Sequence, residues 1–473
     1  MSYNGSLESI MGFRIVLIGG GSCLWTPTLA ADLFLRPGLR GSELVLVDID
    51  PDAARLLHAY CQMAADRIGT RWKVRVAGHR AALRGADLVC ASISTGAFQA
   101  MHWDYTIPER FGVYHTVGDT VGPGGISRTL RNVPVFAGFA RMMEKLCPDA
   151  WMVHVTNPLS QLTRTVAKVS PIRCVGLCHN YAGTVSFLAK YFGVKLGDVD
   201  AVSVGVNHGS WMKDITVKGR PAEGRLSLKR YMAFEAARKG PLATGTTDDQ
   251  IEAMIAGRGT EYYLNFELSE RFGYFPVGAA PHVAENFPFY CNDPATLRRH
   301  RVRRKGVLPM RAEGKAKRRR FIADIVAGRR PMGDLRPSRE GLSRITEALL
   351  AGGKTRQIVA MPNAGQVSNL PRDVIVETHA RVDRRGVHPD PSGPIPPPLL
   401  GWMQTIVDEQ ELAVEAALRG DRDMVVAAMT VSPMLADKDA AGELTDKLLK
   451  ANRRYLPQFF KPPKPRRQAR KKG

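Results

Sequence analysis

Residues 13–34 read FRIVLIGGGSCLWTPTLAADLF, and the rest of the chain is interpreted from them. The run from Phe13 to Ile18 is apolar and rich in β-branched residues, which predicts a strand buried on both faces. A glycine turn follows, and Thr26 with Pro27 then predicts the first turn of a helix. Gly19 and Gly21 fill the first two positions of a G-x-G-x-x-G turn, and Leu24 stands in the third. The first glycine permits the tight turn, and the second lets the backbone approach a pyrophosphate lying at the helix N-terminus.

Moving outward, ELVLVDID (43–50) predicts a second buried strand, and its terminal Asp48 is placed to accept hydrogen bonds from ribose hydroxyls. An acid there disfavours a 2′-phosphate, so the pattern points to NAD rather than NADP. A plain turn-forming role in DIDPD is the other reading of Asp48. Further strand-like runs follow at ADLVCASIST (86–95), AWMVHVTNP (150–158), IRCVGLCHN (172–180) and DAVSVGVNH (200–208), with helix-like segments such as 128–146 between them. This alternation predicts an α/β protein with a Rossmann-type, doubly wound parallel sheet. From about Tyr231 the pattern becomes more helical and irregular, and the second half reads as an α+β lobe. The divisions expected are a flexible leader at 1–12, a dinucleotide-binding domain at 13–205, a second domain at 206–455 and a basic disordered tail at 456–473.

The chain has 473 residues, 44% of them hydrophobic, enough for two substantial domains. It lacks a long apolar run and a signal-like start, so it reads as soluble and cytoplasmic. Seven cysteines, scattered and without a CxxC pair, suit reduced thiols. The formal charge is +22, but residues 298–320 carry twelve Lys/Arg against Glu313, and the chain from Arg453 onward carries nine bases and no acid. These two segments supply +20 of the total, which makes nucleic-acid binding an alternative function confined to them.

Two positions point to metal chemistry. Cys178 and His208 each end an apolar run, and in a doubly wound sheet the carboxyl ends of parallel strands face the ligand crevice. Asn157 would join them there. A thiolate and an imidazole suit a divalent transition metal with open positions for substrate oxygens. Taken singly, Cys178 also reads as a small buried hydrophobe and His208 as a loop histidine.

These residues and their surroundings resemble glycoside hydrolase family 4, the NAD- and manganese-dependent glycosidases. The likeness runs along most of the chain: IGGGS with TP, GDTVGPGGISRTLRNVP (118–134), AWMVHVTNP, VGLCHN, GVNHGSW, RFGYFP, and MPNAGQVSNLPRDVIVE (361–377). It implies a second domain of the lactate/malate dehydrogenase kind, homodimers or homotetramers, and the cofactors NAD and Mn²⁺. It also implies oxidation at sugar carbon 3, metal-assisted elimination of the aglycone, addition of water and return of the hydride, in place of the two-carboxylate scheme of most glycosidases. Carried onto this sequence, the metal ligands are Cys178 and His208, and Asn157 and Asn180 contact substrate hydroxyls. His179, in the CH pair of the branch acting on α-galactosides, α-glucosides and α-glucuronides, is the acid for the leaving group. Asp119 is a substrate-hydroxyl or base candidate, or else a loop cap.

The usual base beyond RFGYFP is replaced by Ala279 and Ala280, with His282 and Glu285 nearby as substitutes. Met101 stands where members acting on 6-phosphoglycosides carry an arginine, so an unphosphorylated, α-galactoside-like substrate is expected. A simple NAD-dependent sugar or 2-hydroxyacid dehydrogenase is the remaining enzymatic alternative.

Overall fold

The computed structural model describes residues 12–238, 261–304, 308–338 and 340–460. The expected leader and most of the expected tail, at 1–11 and 461–473, lie outside the described residues. Among the described residues, thirteen strands occur in chain order: β1 Arg14–Ile18, β2 Glu43–Val47, β3 Lys73–Val76, β4 Leu88–Ala91, β5 Trp151–His154, β6 Arg173–Gly176, β7 Val199–Val204, β8 Trp211–Val217, β9 Arg220–Pro221, β10 Phe275–Pro276, β11 Thr355–Pro362, β12 Ile375–Asp383 and β13 Gly386–Pro389.

A nine-stranded sheet has the order β13-β12-β11-β6-β5-β4-β1-β2-β3. Its parallel part, 3-2-1-4-5-6, is the order in which connections leave β1 toward opposite edges, opening a crevice at the carboxyl ends of β1 and β4. Alternation along β1 explains why the run is apolar throughout. Ile15 and Leu17 face one apolar layer, which also holds Leu29, Phe34 and Leu57. Val16 and Ile18 face the other, which holds Leu130, Val133 and Phe136.

The remaining strands depart from a simple division of the chain. The sheet does not stop at residue 205, because β11, β12 and β13 return antiparallel and extend it beyond β6. In the opposite sense, β7 does not continue the parallel series. It pairs antiparallel with β8, after the tight turn at 205–209, in a separate four-stranded sheet of β10-β8-β7 with β9 beside β8. The expectation that His208 ends a parallel strand is therefore corrected. The physical reason is in the run itself: Val199, Ala201 and Ser203 are buried while Asp200 is exposed, the pattern of a strand covered mainly on one face. His208 still reaches the crevice, because β7 lies across β12, where the Glu377 N–H donates to the Gly205 carbonyl at 2.8 Å.

Two stretches expected to be irregular are ordered. The basic region contains the helix Leu308–Val326, which buries Ile322 and Ile325 against the layer under β1 and β2. The first residues of the expected tail are ordered, since Leu456 is buried and Gln458 donates to the Leu130 carbonyl at 3.0 Å. Among the described residues, no helix is long and apolar enough to cross a membrane.

Candidate active site

The glycine turn is held mainly by backbone contacts. Gly19 and Gly20 donate to the Val47 carbonyl at 2.8 and 3.0 Å, and Gly19 has a φ of +90°. A Cβ on Gly19 would fall 2.0 Å from the Ser92 oxygen, so only glycine fits between β1, β2 and β4. The helix Thr26–Phe34 starts late, and Leu24 points outward at 50% exposure. The third glycine of the motif, needed where a helix packs closely on its strand, is therefore dispensable here.

Asp48 ends β2 as expected, and it also has the turn-forming role. Its Oδ2 accepts from Gly21 N–H at 2.8 Å and its Oδ1 from Asp50 N–H at 2.9 Å. Each carboxylate oxygen keeps a further lone pair, so the staple and a ribose contact are compatible. Beside it Ile49 is 94% exposed, an apolar side chain at the crevice that the sequence reading passed over.

Across the crevice, segments far apart in sequence converge. Asp119, His208 and His282 bring one potential ligand atom each within 4.8 Å of one another. Asn157, after β5, donates its side-chain N–H to Asp119 Oδ2 at 3.1 Å. The Thr120 hydroxyl lies 2.9 Å from Asp119 Oδ1 and 2.8 Å from His208 Nδ1. Burial works to raise the Asp119 carboxyl, but His208, Arg128, His282 and the Asn157 amide together hold it down at about 2. The carboxylate is thus ionised at neutral pH and takes the single Thr120 proton. Thr120 can then only accept from His208, which puts a ring proton on Nδ1. His208 has a φ of +63°, a left-handed conformation uncommon for a non-glycine residue and frequent at functional positions.

The other expected residues stand around this cluster. Cys178 is half-buried against Leu159, Ala360 and Ile375, and its thiol does not join the three-residue group. Burial pushes that thiol up and Glu377 adds to the rise, while the Asn180 N–H and the Asn207 side chain oppose it. Asn207 links this thiol to the cluster: it precedes His208 and donates to Glu377 Oε2 at 2.8 Å. Burial raises the Glu377 carboxyl to about 7 against the pull of Asn207 and Ser210. Asn180 is buried in the first turn of the helix Asn180–Phe192, and its Nδ2 has no hydrogen-bond partner among the described residues. His179 is more open: its side chain is 53% exposed, its Nδ1 lies 3.5 Å from Glu340 Oε1, and its ring sits 6.3 Å from that of Trp25.

Of the two substitutes for the missing base, Glu285 is already committed. Its Oε1 lies 3.0 Å from His115 Nδ1 and accepts the backbone N–H groups of Thr116, Val117 and Gly118 at 2.8, 2.8 and 2.9 Å, anchoring the loop that leads to Asp119. His282 remains, its ring centroid 4.3 Å from that of His208. Asn286, unremarked in the sequence, donates to the carbonyls of both histidines, at 2.7 Å to His208 and 3.0 Å to His282. Arg131 is likewise withdrawn from any substrate role by a buried bidentate pair with Asp104, whereas Arg128 donates to the Asn157 carbonyl at 3.1 Å.

Known proteins resemble this chain along most of its length. The alpha-galacturonidase of Bacillus subtilis (strain 168) is 32% identical over 454 residues, spanning 94% of this chain and 98% of that protein. The crystal structure of the putative glucosidase lplD from Bacillus subtilis superposes with a TM-score of 0.81 at 30% identity, covering 93% of this chain and 100% of the other. A 6-phospho-alpha-glucosidase from gut microorganisms, solved in complex with NAD and Mn²⁺, shares the fold at a TM-score of 0.77 and 18% identity, over 94% and 99% of the two chains. Residues 14–194 match the Family 4 glycosyl hydrolase description, and residues 203–435 match the Family 4 glycosyl hydrolase C-terminal domain. With both halves matched, in the order that builds one crevice, the chain belongs to glycosyl hydrolase family 4.

Proposed function

We propose that the protein hydrolyses an unphosphorylated α-glycoside of galactose configuration, most closely an α-galacturonide, using NAD⁺ and a divalent metal such as Mn²⁺. The observation that carries this reading is the Asp119, His208 and His282 cluster beside Asn157, opposite the glycine turn. The galacturonide narrows the α-galactoside class expected from sequence, and its support is the name of the 32% identical relative. Met101 at the position of the phosphate-binding arginine supports an unphosphorylated sugar, since an Arg fork is the strong bidentate partner of phosphate.

The residues present fit both cofactors. The Cβ-free cradle at Gly19 and the Asp48 carboxylate suit a dinucleotide, and the Asp119, His208 and His282 group suits a cation. Held there, the two groups would supply a hydride acceptor for sugar carbon 3 and a Lewis acid for the oxygens at carbons 2 and 3. His208 and Asp119 would hold the metal, with Cys178, whose thiol stands outside the Asp119, His208 and His282 group, as the further ligand expected from the sequence. Asn157, oriented by Asp119, and Asn180, with its unpartnered Nδ2, would position sugar hydroxyls. His282 would accept the carbon-2 proton, the role for which Glu285 is no longer available. His179, steadied by Glu340, would protonate the departing aglycone oxygen.

Matched nitrophenyl α-galacturonide, α-galactoside and α-galactoside 6-phosphate test the reading, each assayed with NAD⁺ and Mn²⁺ present and after their exhaustive removal. Turnover of the uronide that collapses on removal is expected. Undiminished turnover without both cofactors overturns the mechanism, and a preference for the phosphorylated sugar overturns the substrate. Stoichiometric NADH release without hydrolysis would instead mark a dehydrogenase.

A further inference from the structure

The helix Leu308–Val326 contains the densest basic run of the chain, and nothing in the hydrolytic reading uses it. Lys315, Arg319, Ile322 and Val326 are spaced as neighbours in a stripe on one helical face, with Ile322 buried, Arg319 and Val326 partly buried and Lys315 exposed. The apolar end of the stripe packs into the layer beneath β1 and β2, with Ile322 at 4% exposure. The basic end lies over the crevice. Arg319 Nη1 is 3.4 Å from Asp50 Oδ2, just beyond the end of β2. Lys315 Nζ is 5.9 Å from the ring centroid of Phe98, at the start of the helix Ala97–Glu109 that follows β4. Between them lies Cys23 of the glycine turn: burial raises its thiol, and the charges of Arg319 and Lys315 are close enough to pull it down. The helix therefore crosses from the β2 side to the β4 side, over the loop that follows β1. By contrast, Lys317 on the outer face is paired with Glu313 at 2.7 Å.

We infer that Lys315 and Arg319 form a cationic strap over the glycine turn that binds the pyrophosphate of the dinucleotide from the side opposite the backbone N–H groups. This rests on the dinucleotide reading of the crevice given above. A glycine turn offers only backbone dipoles to a doubly charged group, and two side-chain cations one turn apart supply the countercharge. Arg319 would exchange part of its contact with Asp50, a half-exposed pair that contributes little to stability, for a charge-assisted contact to phosphate.

The test is calorimetric titration of the full chain and its Lys315→Ala, Arg319→Ala, doubly substituted and Arg319→Lys variants with ADP-ribose, NAD⁺, NADP⁺ and adenosine. Each alanine variant should weaken ADP-ribose about 5- to 10-fold, and the double variant about 50-fold. Adenosine, which has no phosphate, should change less than about twofold, and Arg319→Lys should retain most of the affinity. The ADP-ribose affinity of the double variant should also respond less to added salt. A folded double variant that binds ADP-ribose like the parent overturns the strap and leaves an ordinary surface ion pair. Equal loss of adenosine overturns it as well, since the effect would then be on the fold. A loss confined to NADP⁺ assigns the contact to a ribose 2′-phosphate and overturns the pyrophosphate assignment. A parent protein that binds no ADP-ribose or NAD⁺ rejects the dinucleotide reading itself, a result distinct from failure of the strap alone.

Discussion

The two sides of the crevice are built differently. The dinucleotide side rests on a local device: β1, three glycines and the end of β2, joined by backbone hydrogen bonds from Gly19 and Gly20 to Val47 and by the Asp48 staple. The opposite side is a network of side chains from residues 119, 120, 157, 208, 282 and 286, drawn from both sheets and the loops between them. A backbone device tolerates changes of side chain but no Cβ where strands meet closely. A side-chain network tolerates small shape changes but depends on every donor and acceptor being matched. Damage to one side should therefore leave the other working.

The largest effect is expected on the network side. His208→Ala removes the imidazole of the Asp119, His208 and His282 group, and turnover should fall at least about 10³-fold, or about 4 kcal/mol of transition-state stabilisation. Binding of Mn²⁺ should fall with it while NAD⁺ affinity stays within about twofold, both read by titration. Equal loss of NAD⁺ binding would break the separation drawn here. The converse change is Gly19→Ala, where a Cβ would sit 2.0 Å from Ser92 O at a φ of +90°. Unfolding free energy should drop by about 3 kcal/mol, with NAD⁺ binding lost before the metal site is disturbed, as denaturation and Mn²⁺ titration would report.

A smaller effect sharpens the account of the network. Thr120→Ala removes the hydroxyl that fixes the His208 tautomer, without removing a ligand. Mn²⁺ affinity should weaken about 10-fold, and Thr120→Ser should restore it. If alanine and serine behave alike, the tautomer argument fails.

The smallest effect concerns the helix Gly122–Leu146, which both sides share: Arg131 donates to the Thr95 carbonyl just after β4, and Arg128 to the Asn157 carbonyl at the cluster. Its first N–H, from Gly122, donates to the buried Glu409 at 2.9 Å, and burial raises that carboxyl to about 7. Because the folded value exceeds the ordinary 4.5, the folded state binds more protons between those two values, and stability should fall as pH rises from about 4.5 through about 7. Glu409→Gln keeps the acceptor and removes the titration, so its melting temperature should change less than the parent's between pH 5 and 8, by about 2–4 °C. A parent curve that rises over this range would reverse the assignment.

What could be read from the sequence, and what could not, follows the same division. The alternating strands, the glycine turn, Asp48 at the end of β2 and the residue types of the site were all visible, because a strand, a tight turn and a helix start are decided by neighbours within about twenty residues. Even the positions of Asn157 and His208 at the crevice could be anticipated. The partnerships could not. The antiparallel pairing of β11 with β6, the seating of the turn after β7 on β12, the withdrawal of Glu285 to anchor residues 115–118, and the link from Thr120 to His208 all join residues roughly 90 to 180 positions apart. The composition of a strand does not name its neighbour, and a carboxylate in a sequence does not say whether its lone pairs are already occupied. Packing decides both: it brings the second sheet across β12 and sets the Thr120 hydroxyl against one nitrogen of His208.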